Sequence, residues 1–158
     1  MAISEPQLKV ERMERCLRAY YAVCNEANAE KTPSCFVPDA VHYFPPGTYG
    51  GPCQGAAEIA RRWREVMDSF GSYWAIDRLS IDPSTSCAVF EWTHFKTEQG
   101  VVLRGTEWAE FGAEAGLSTE TRGYHATPQG PNLQAFVLGG FAYRGQGYAM
   151  VAPLSART

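Results

Sequence analysis

The segment from Cys87 to Phe111, CAVFEWTHFKTEQGVVLRGTEWAEF, constrains this chain most, because apolar and polar residues alternate on both sides of Gln99-Gly100. Period-two alternation flanking a turn signal is the pattern of an antiparallel hairpin. With Gln99 and Gly100 as a two-residue turn, Trp92 is expected to face Glu107, and His94 to face Gly105. Phe90, Trp92, His94, Gly105, Glu107 and Ala109 then share one side of the sheet. Glu91, Thr93, Arg104, Thr106, Trp108 and Glu110 share the other. A histidine and a carboxylate beside an indole on the less polar face are costly unless they are paired or used. A slip of one residue would turn both groups outward, so the argument rests on the register.

Length and composition set the frame. We expect 158 residues to form a single domain, 1–158, with a core over about 8–125 and an irregular arm over 126–158. A chain of this size buries roughly 70% of the surface that its unfolded form exposes. The net charge of −3 offers no electrostatic reason to expect nucleic acid or an anionic membrane as a partner. The longest apolar run, Ala135 to Ala142, is broken by glycines and too short to span a bilayer. MAISEPQLKVERMERC has no apolar signal core, which gives a cytoplasmic expectation. Cys16, Cys24, Cys35, Cys53 and Cys87 form no CxxC pair, and an odd count fits reduced core thiols.

Helix signals come first along the chain and strand signals later. Ser4 with Glu5 and Pro6 reads as a helix start, and Met13, Leu17, Tyr20 and Cys24 recur at helical spacing, predicting a helix to about Asn28. Thr32-Pro33 opens a short helix through Phe36. Val41 to Phe44 reads as a short strand stopped by Pro45-Pro46, and Gly47 to Gly55 as a loop. Gly55 to Phe70 is an amphipathic helix, with Ile59, Trp63, Val66, Met67 and Phe70 on its apolar stripe. Strands follow at Tyr73–Asp82, Cys87–Glu98, Val101–Phe111 and Leu117–His125. The tail from Ala126 is too aromatic for a disordered segment and is expected to pack as an arm. Two or three helices followed by long antiparallel strands make an α+β fold. Such a sheet curls, and helices on its concave side enclose a conical cavity of the kind ligands occupy.

In order and spacing, RAYYAVCNEAN, FVPDAVHYFPPG, QGAAEIARRW and GLSTETRGYH resemble the nuclear transport factor 2-like fold in its SnoaL-like enzyme branch, over roughly residues 8–125. Relatives with that fold include ketosteroid isomerase, limonene epoxide hydrolase, scytalone dehydratase and small polyketide cyclases, together with non-catalytic binding modules. The resemblance places Tyr20 where the isomerases have an oxyanion-hole tyrosine. It places Glu107 where they have a protonated acid and the cyclases a histidine. His94 falls where the epoxide hydrolases have an aspartate, with Trp92 in place of their arginine. Two departures limit the transfer. Phe44 stands at the position of the isomerase base, and Gly123 at the last-strand aspartate of the cyclases and epoxide hydrolases.

From the residues themselves, His94 is the first candidate for proton transfer, since an ordinary imidazole titrates nearest neutral pH. Glu107, diagonal to it on the next strand, either orients the imidazole or is held neutral by burial and donates to a substrate oxygen. Tyr20 is a further donor. His125 and Asp77, the latter sharing alternation with Leu79 and Ile81, come second, with Trp92, Phe90, Tyr43, Phe44 and Trp63 lining the pocket. Gly105 and Gly123 are expected to leave room for a ligand. Each has a plainer reading: a satisfied polar pair for His94 and Glu107, core packing for Tyr20, an outward-pointing Asp77.

The expected function is that of a cofactor-independent acid/base enzyme on a small hydrophobic molecule, by isomerisation, cyclisation or dehydration. Epoxide hydrolysis ranks behind it, and the competitor from another class is a carrier or protein-interaction module. No metal is expected, and there is no GxxxxGK[ST], GxGxxG or GxSxG motif. The expected partners are a small ligand and a second copy of the chain, paired through the outer sheet face that carries Trp108 and Phe95.

Overall fold

The computed structural model describes residues 3–26, 30–44, 51–112, 116–124, 142 and 144–151. Helix α1 (Glu5–Asn25) starts where Ser4 donates through its backbone N–H and hydroxyl to Gln7 Oε1, at 3.2 and 3.0 Å. It stops earlier than its periodicity suggests, because Asn25 turns to the sheet. Asn25 Nδ2 donates to the Trp74 carbonyl, and the Trp74 N–H donates to Asn25 Oδ1, both at 2.8 Å. Thr32–Cys35 form a turn of 3-10 helix. Strand β1 (Phe36–Tyr43) is longer than the apolar run alone indicated. Pro38 hid its first half, and it falls where the ladder is irregular, so its missing N–H is tolerated. Strand β2 (Cys53–Gln54) is too short to carry any periodicity and sits in the segment read as a loop. Helix α2 (Ala56–Phe70) ends at Gly71 with a left-handed φ of 58°, where an added Cβ would lie 2.7 Å from Glu98 and Thr97 side-chain atoms. Strands β3 (Ser72–Asp82), β4 (Cys87–Lys96), β5 (Val101–Phe111) and β6 (Ser118–Tyr124) complete the described elements.

The sheet runs β2-β1-β6-β5-β4-β3, antiparallel except for the parallel pair β1 and β6. It is curled, the two helices pack on one face of it, and the architecture is α+β as expected. Met13, Leu17, Tyr20, Tyr21, Ile59, Trp63, Val66 and Met67 from the helices meet Ala88, Phe90, Trp92, Leu103, Ala109 and Phe111 from the sheet in one core. Ile59, Trp63, Val66 and Met67 of the α2 stripe are buried and Phe70 at its end is half-buried, while the Arg62–Glu58, Arg61–Glu65 and Arg64–Asp68 pairs decorate the outer side. All five cysteines are free thiols.

The hairpin register differs from the expected one. Lys96 pairs with Val101, so Thr97 to Gly100 make a four-residue connection with Gly100 at a φ of 64°. Every pair is therefore displaced by two: Trp92 faces Gly105, Phe90 faces Glu107 and His94 faces Leu103. A shift of two preserves the sides, so the same residues still line the inner face. It does change which residues are neighbours.

The outer face has a cover of its own. Residues 144–151 lie across β3, β4 and β5: the Ala149 N–H donates to Asp77 Oδ1 at 2.8 Å, and Arg104 Nη2 donates to the Ala149 carbonyl at 3.0 Å. Tyr148 stacks under the Arg78 and Arg104 guanidinium groups and donates through its hydroxyl to Glu91. Most of the arm expected from Ala126 onward lies outside the described residues.

Candidate functional site

Three strands bring Phe90, Glu107 and Gly123 into one row across the concave face. Glu107 is only 4% exposed, among Tyr20, Tyr21, Cys24 and Phe90. Burial pushes its carboxyl up to about 8, and the neighbouring Tyr21 hydroxyl offsets part of that rise. It is therefore a neutral acid at pH 7. Neither Glu107 Oε2 nor the Tyr21 hydroxyl completes a hydrogen bond among the described residues.

A second polar group lies toward β1. His42 is fully buried, its ring stacked on Phe44 at 4.1 Å and edge-on to Trp63 at 5.8 Å. The Tyr20 hydroxyl lies 3.4 Å from His42 Nδ1, while His42 Nε2 has no partner among the described residues. Desolvation pushes this imidazole down to about 3, so it too is uncharged at pH 7. Tyr20, Tyr21, Trp63 and Phe36 pack around these groups by edge contacts, Tyr20 to Trp63 at 5.8 Å among them. The arrangement is an apolar interior holding uncharged donors and acceptors whose hydrogen-bonding capacity the described residues leave unfilled.

His94 lies elsewhere. It is buried on the same face, but it is four residues along β4 from the residue facing Glu107, ~13 Å at the usual strand rise. Its Nε2 is 2.7 Å from Ser72 Oγ and its ring stacks on Trp74 at 4.0 Å. The expected contact of His94 with Glu107 is therefore corrected, and the cause is the four-residue turn.

The other expected site residues divide. Phe90, Trp92 and Trp63 are buried in the interior, and Phe44 is half-buried against His42. Tyr43 is 42% exposed on the outer face, which corrects its assignment to the lining. Asp77 also points outward. The ladder shifts between Ile76 and Arg78, so Asp77 is the extra residue of a bulge. Trp74 and Ile76 before it, and Leu79 and Ile81 after it, keep the same inward phase. Asp77 Oδ2 instead accepts from Thr93 Oγ1 at 2.6 Å and faces Arg104 at 3.8 Å. Gly105 does not leave room for a ligand, since the Trp92 indole fills the space an added Cβ would take. His125 lies outside the described residues.

His42, Tyr21, Ser72 and Trp74 were not singled out by sequence reasoning. His42 carried a signal, an ionisable residue at one phase of an otherwise apolar strand, but Val41 to Phe44 was too short a run to fix which phase faces inward. An open groove of about 620 Å³ between α1 and β3 is lined by Arg18, Tyr21, Asn25, Tyr73, Trp74 and Ile76. Tyr21 and Trp74 belong to both the groove and the interior. No group of three or more histidine, cysteine or acidic side chains among the described residues is arranged to hold a metal ion. No described helix is long and apolar enough to cross a membrane.

A family model described as a SnoaL-like domain matches residues 17–121. A crystallised protein of unknown function with a cystatin-like fold from Methylobium petroleophilum PM1 is 51% identical, with 90% of this chain and 94% of that chain covered and a TM-score of 0.72. RV0760c from Mycobacterium tuberculosis, solved with estradiol-17beta-hemisuccinate, is 15% identical, with 72% and 92% covered and a TM-score of 0.61. TerC, co-crystallised with polyporic acid, is 20% identical, with 72% and 90% covered and a TM-score of 0.60. Among curated proteins no match is found.

Proposed function

We propose, for a chain that belongs to the SnoaL-like domain family, that the interior binds a small, largely apolar organic molecule and that Glu107 acts on it as a neutral acid. The observation that carries this reading is Glu107 itself: a buried carboxyl, pushed up to about 8, with one oxygen unmatched among the described residues. An acid kept neutral at pH 7 can donate to a developing oxyanion, or pass a proton to it, in a setting where water does not compete. Isomerisation, cyclisation and dehydration of an oxygenated hydrocarbon all need that service and no cofactor. RV0760c and TerC, which share the fold, are seen with bulky, largely apolar ligands, and this supports the choice of ligand class. Tyr21, beside the carboxyl, is the second donor we assign, and Tyr20 acts through His42.

His94 favours a second reading, that of a carrier. Held by Ser72 and Trp74 and apart from Glu107, it forms no acid/base pair with the carboxyl. The two readings divide on one experiment. A screen of steroid and quinone ligands by tryptophan quenching should find binding in either case. Glu107→Gln should abolish product formation while leaving affinity within about threefold if the protein is an enzyme; a wild-type protein that binds and never turns over its ligand is a carrier. Failure to bind any such ligand would overturn both. We place the protein in the cytoplasm and expect a homodimer through the exposed part of the outer face around Trp108, which is 42% exposed, whereas Phe95 is buried.

A further inference from the structure

Resting on the binding reading, we infer that His42 Nε2–H is a hydrogen-bond donor for the ligand, so that the ligand carries an acceptor oxygen, carbonyl or ether, at the end lying under β1. The contact with Tyr20 and the donor strengths of the two groups point to the tautomer. A neutral imidazole has one protonated and one bare nitrogen. The Tyr20 hydroxyl is 3.4 Å from Nδ1, close enough for one hydrogen bond between them. Tyr20 has one proton to give. The candidates around it are the Cys24 sulfur, a weak acceptor, and the imidazole nitrogen, a strong one. A phenol is the stronger donor and a bare imidazole nitrogen the stronger acceptor of the pair, so Tyr20 donates to Nδ1 and the ring proton sits on Nε2.

That N–H is fully buried and unmatched among the described residues. A buried donor without an acceptor is costly, and a native fold retains one where something else completes it. His42 cannot turn to relieve this, because its ring is sandwiched between Phe44 and the edge of Trp63. Two sheet spacings separate β1 from β5, ~10 Å, so a ligand that meets both His42 and Glu107 must span at least that distance. Glu107, protonated, offers a donor as well. The interior thus selects an uncharged molecule with oxygen functions at two ends of an apolar body. A hydrocarbon of the same shape leaves the His42 donor unfilled.

Equilibrium dialysis with β-acetylnaphthalene and its hydrocarbon isostere β-isopropenylnaphthalene separates the terms, since the two differ only in the acceptor oxygen. We expect the wild-type preference for the ketone to fall about tenfold in His42→Phe, the size of one neutral hydrogen bond. His42→Gln, which keeps an amide donor near the same place, should restore it. Nitrogen-15 NMR of the wild-type protein reads the tautomer whether or not His42→Phe folds, and should show the proton on Nε2. A proton on Nδ1, or a ketone preference unchanged in His42→Phe, would overturn the inference and leave the binding reading intact. Binding of neither compound to the wild type would overturn both.

Discussion

Phe90 and Glu107 stand directly opposite each other on β4 and β5, with the Tyr21 ring edge-on to Phe90 at 5.5 Å. The carboxyl therefore has a phenyl ring on one side and Gly123, with no side chain, on the other. It is this apolar flanking and the burial it brings that keep it protonated. The chemistry proposed for the site follows from that pairing.

Stability should carry the signature of two neutral groups. Glu107 is raised in the folded state, so its contribution is complete below the ordinary value of 4.5 and lost as pH rises through about 8. His42 is depressed, so its contribution is present above the ordinary 6.5 and lost as pH falls through about 3. Between about 4.5 and 6.5 the two slopes, each ~1.4 kcal/mol per pH unit, oppose one another. Urea denaturation should show a plateau there, with losses on both flanks. Glu107→Gln should abolish the alkaline loss and keep the acid one. An equally steep alkaline limb in that variant would mean that the carboxyl is not the titrating group.

Gly105→Ala should be strongly destabilising. The added Cβ would overlap the Trp92 indole and lie 2.6 Å from the Tyr124 carbonyl oxygen, and backbone cannot swing aside. We expect a loss of about 1–3 kcal/mol with a changed Trp92 emission. Unchanged melting and emission would show that the indole does not lie over Gly105.

On the outer face, Asp77, Thr93 and Arg104 form a polar cluster with the side chains of Asp77 and Arg104 only 2% and 9% exposed. Asp77→Ala removes the acceptor of the Thr93 hydroxyl and the Ala149 N–H and the carboxylate facing Arg104, and should cost about 3–5 kcal/mol. Asp77→Leu combined with Arg104→Met should recover most of that loss, which a double-mutant cycle in denaturant would read. Ending the chain at Arg144 removes the Ala149 partners of both groups and should lower the melting temperature.

The particular residues show why some of this was legible beforehand. The inner face of β4 and β5 was readable because a two-residue change of register leaves every side chain on its side. The neighbour relations were not, because Thr97-Glu98-Gln99-Gly100 supports either a two- or a four-residue connection with Gly100 at positive φ. Asp77 was ambiguous for a physical cause: the inward residues before it stand at even positions and those after it at odd ones, and a bulge reconciles them. The family resemblance led attention to Phe44 and past His42, its neighbour two residues earlier on the same face.

The protonation state of Glu107 tests the account most directly. Carbon-13 NMR of the labelled side-chain carboxyl, followed from pH 4 to pH 10, should show a protonated group at neutral pH that titrates near 8 and responds to a bound ketone. A carboxylate already ionised at pH 6, indifferent to ligand, would contradict the account at its centre.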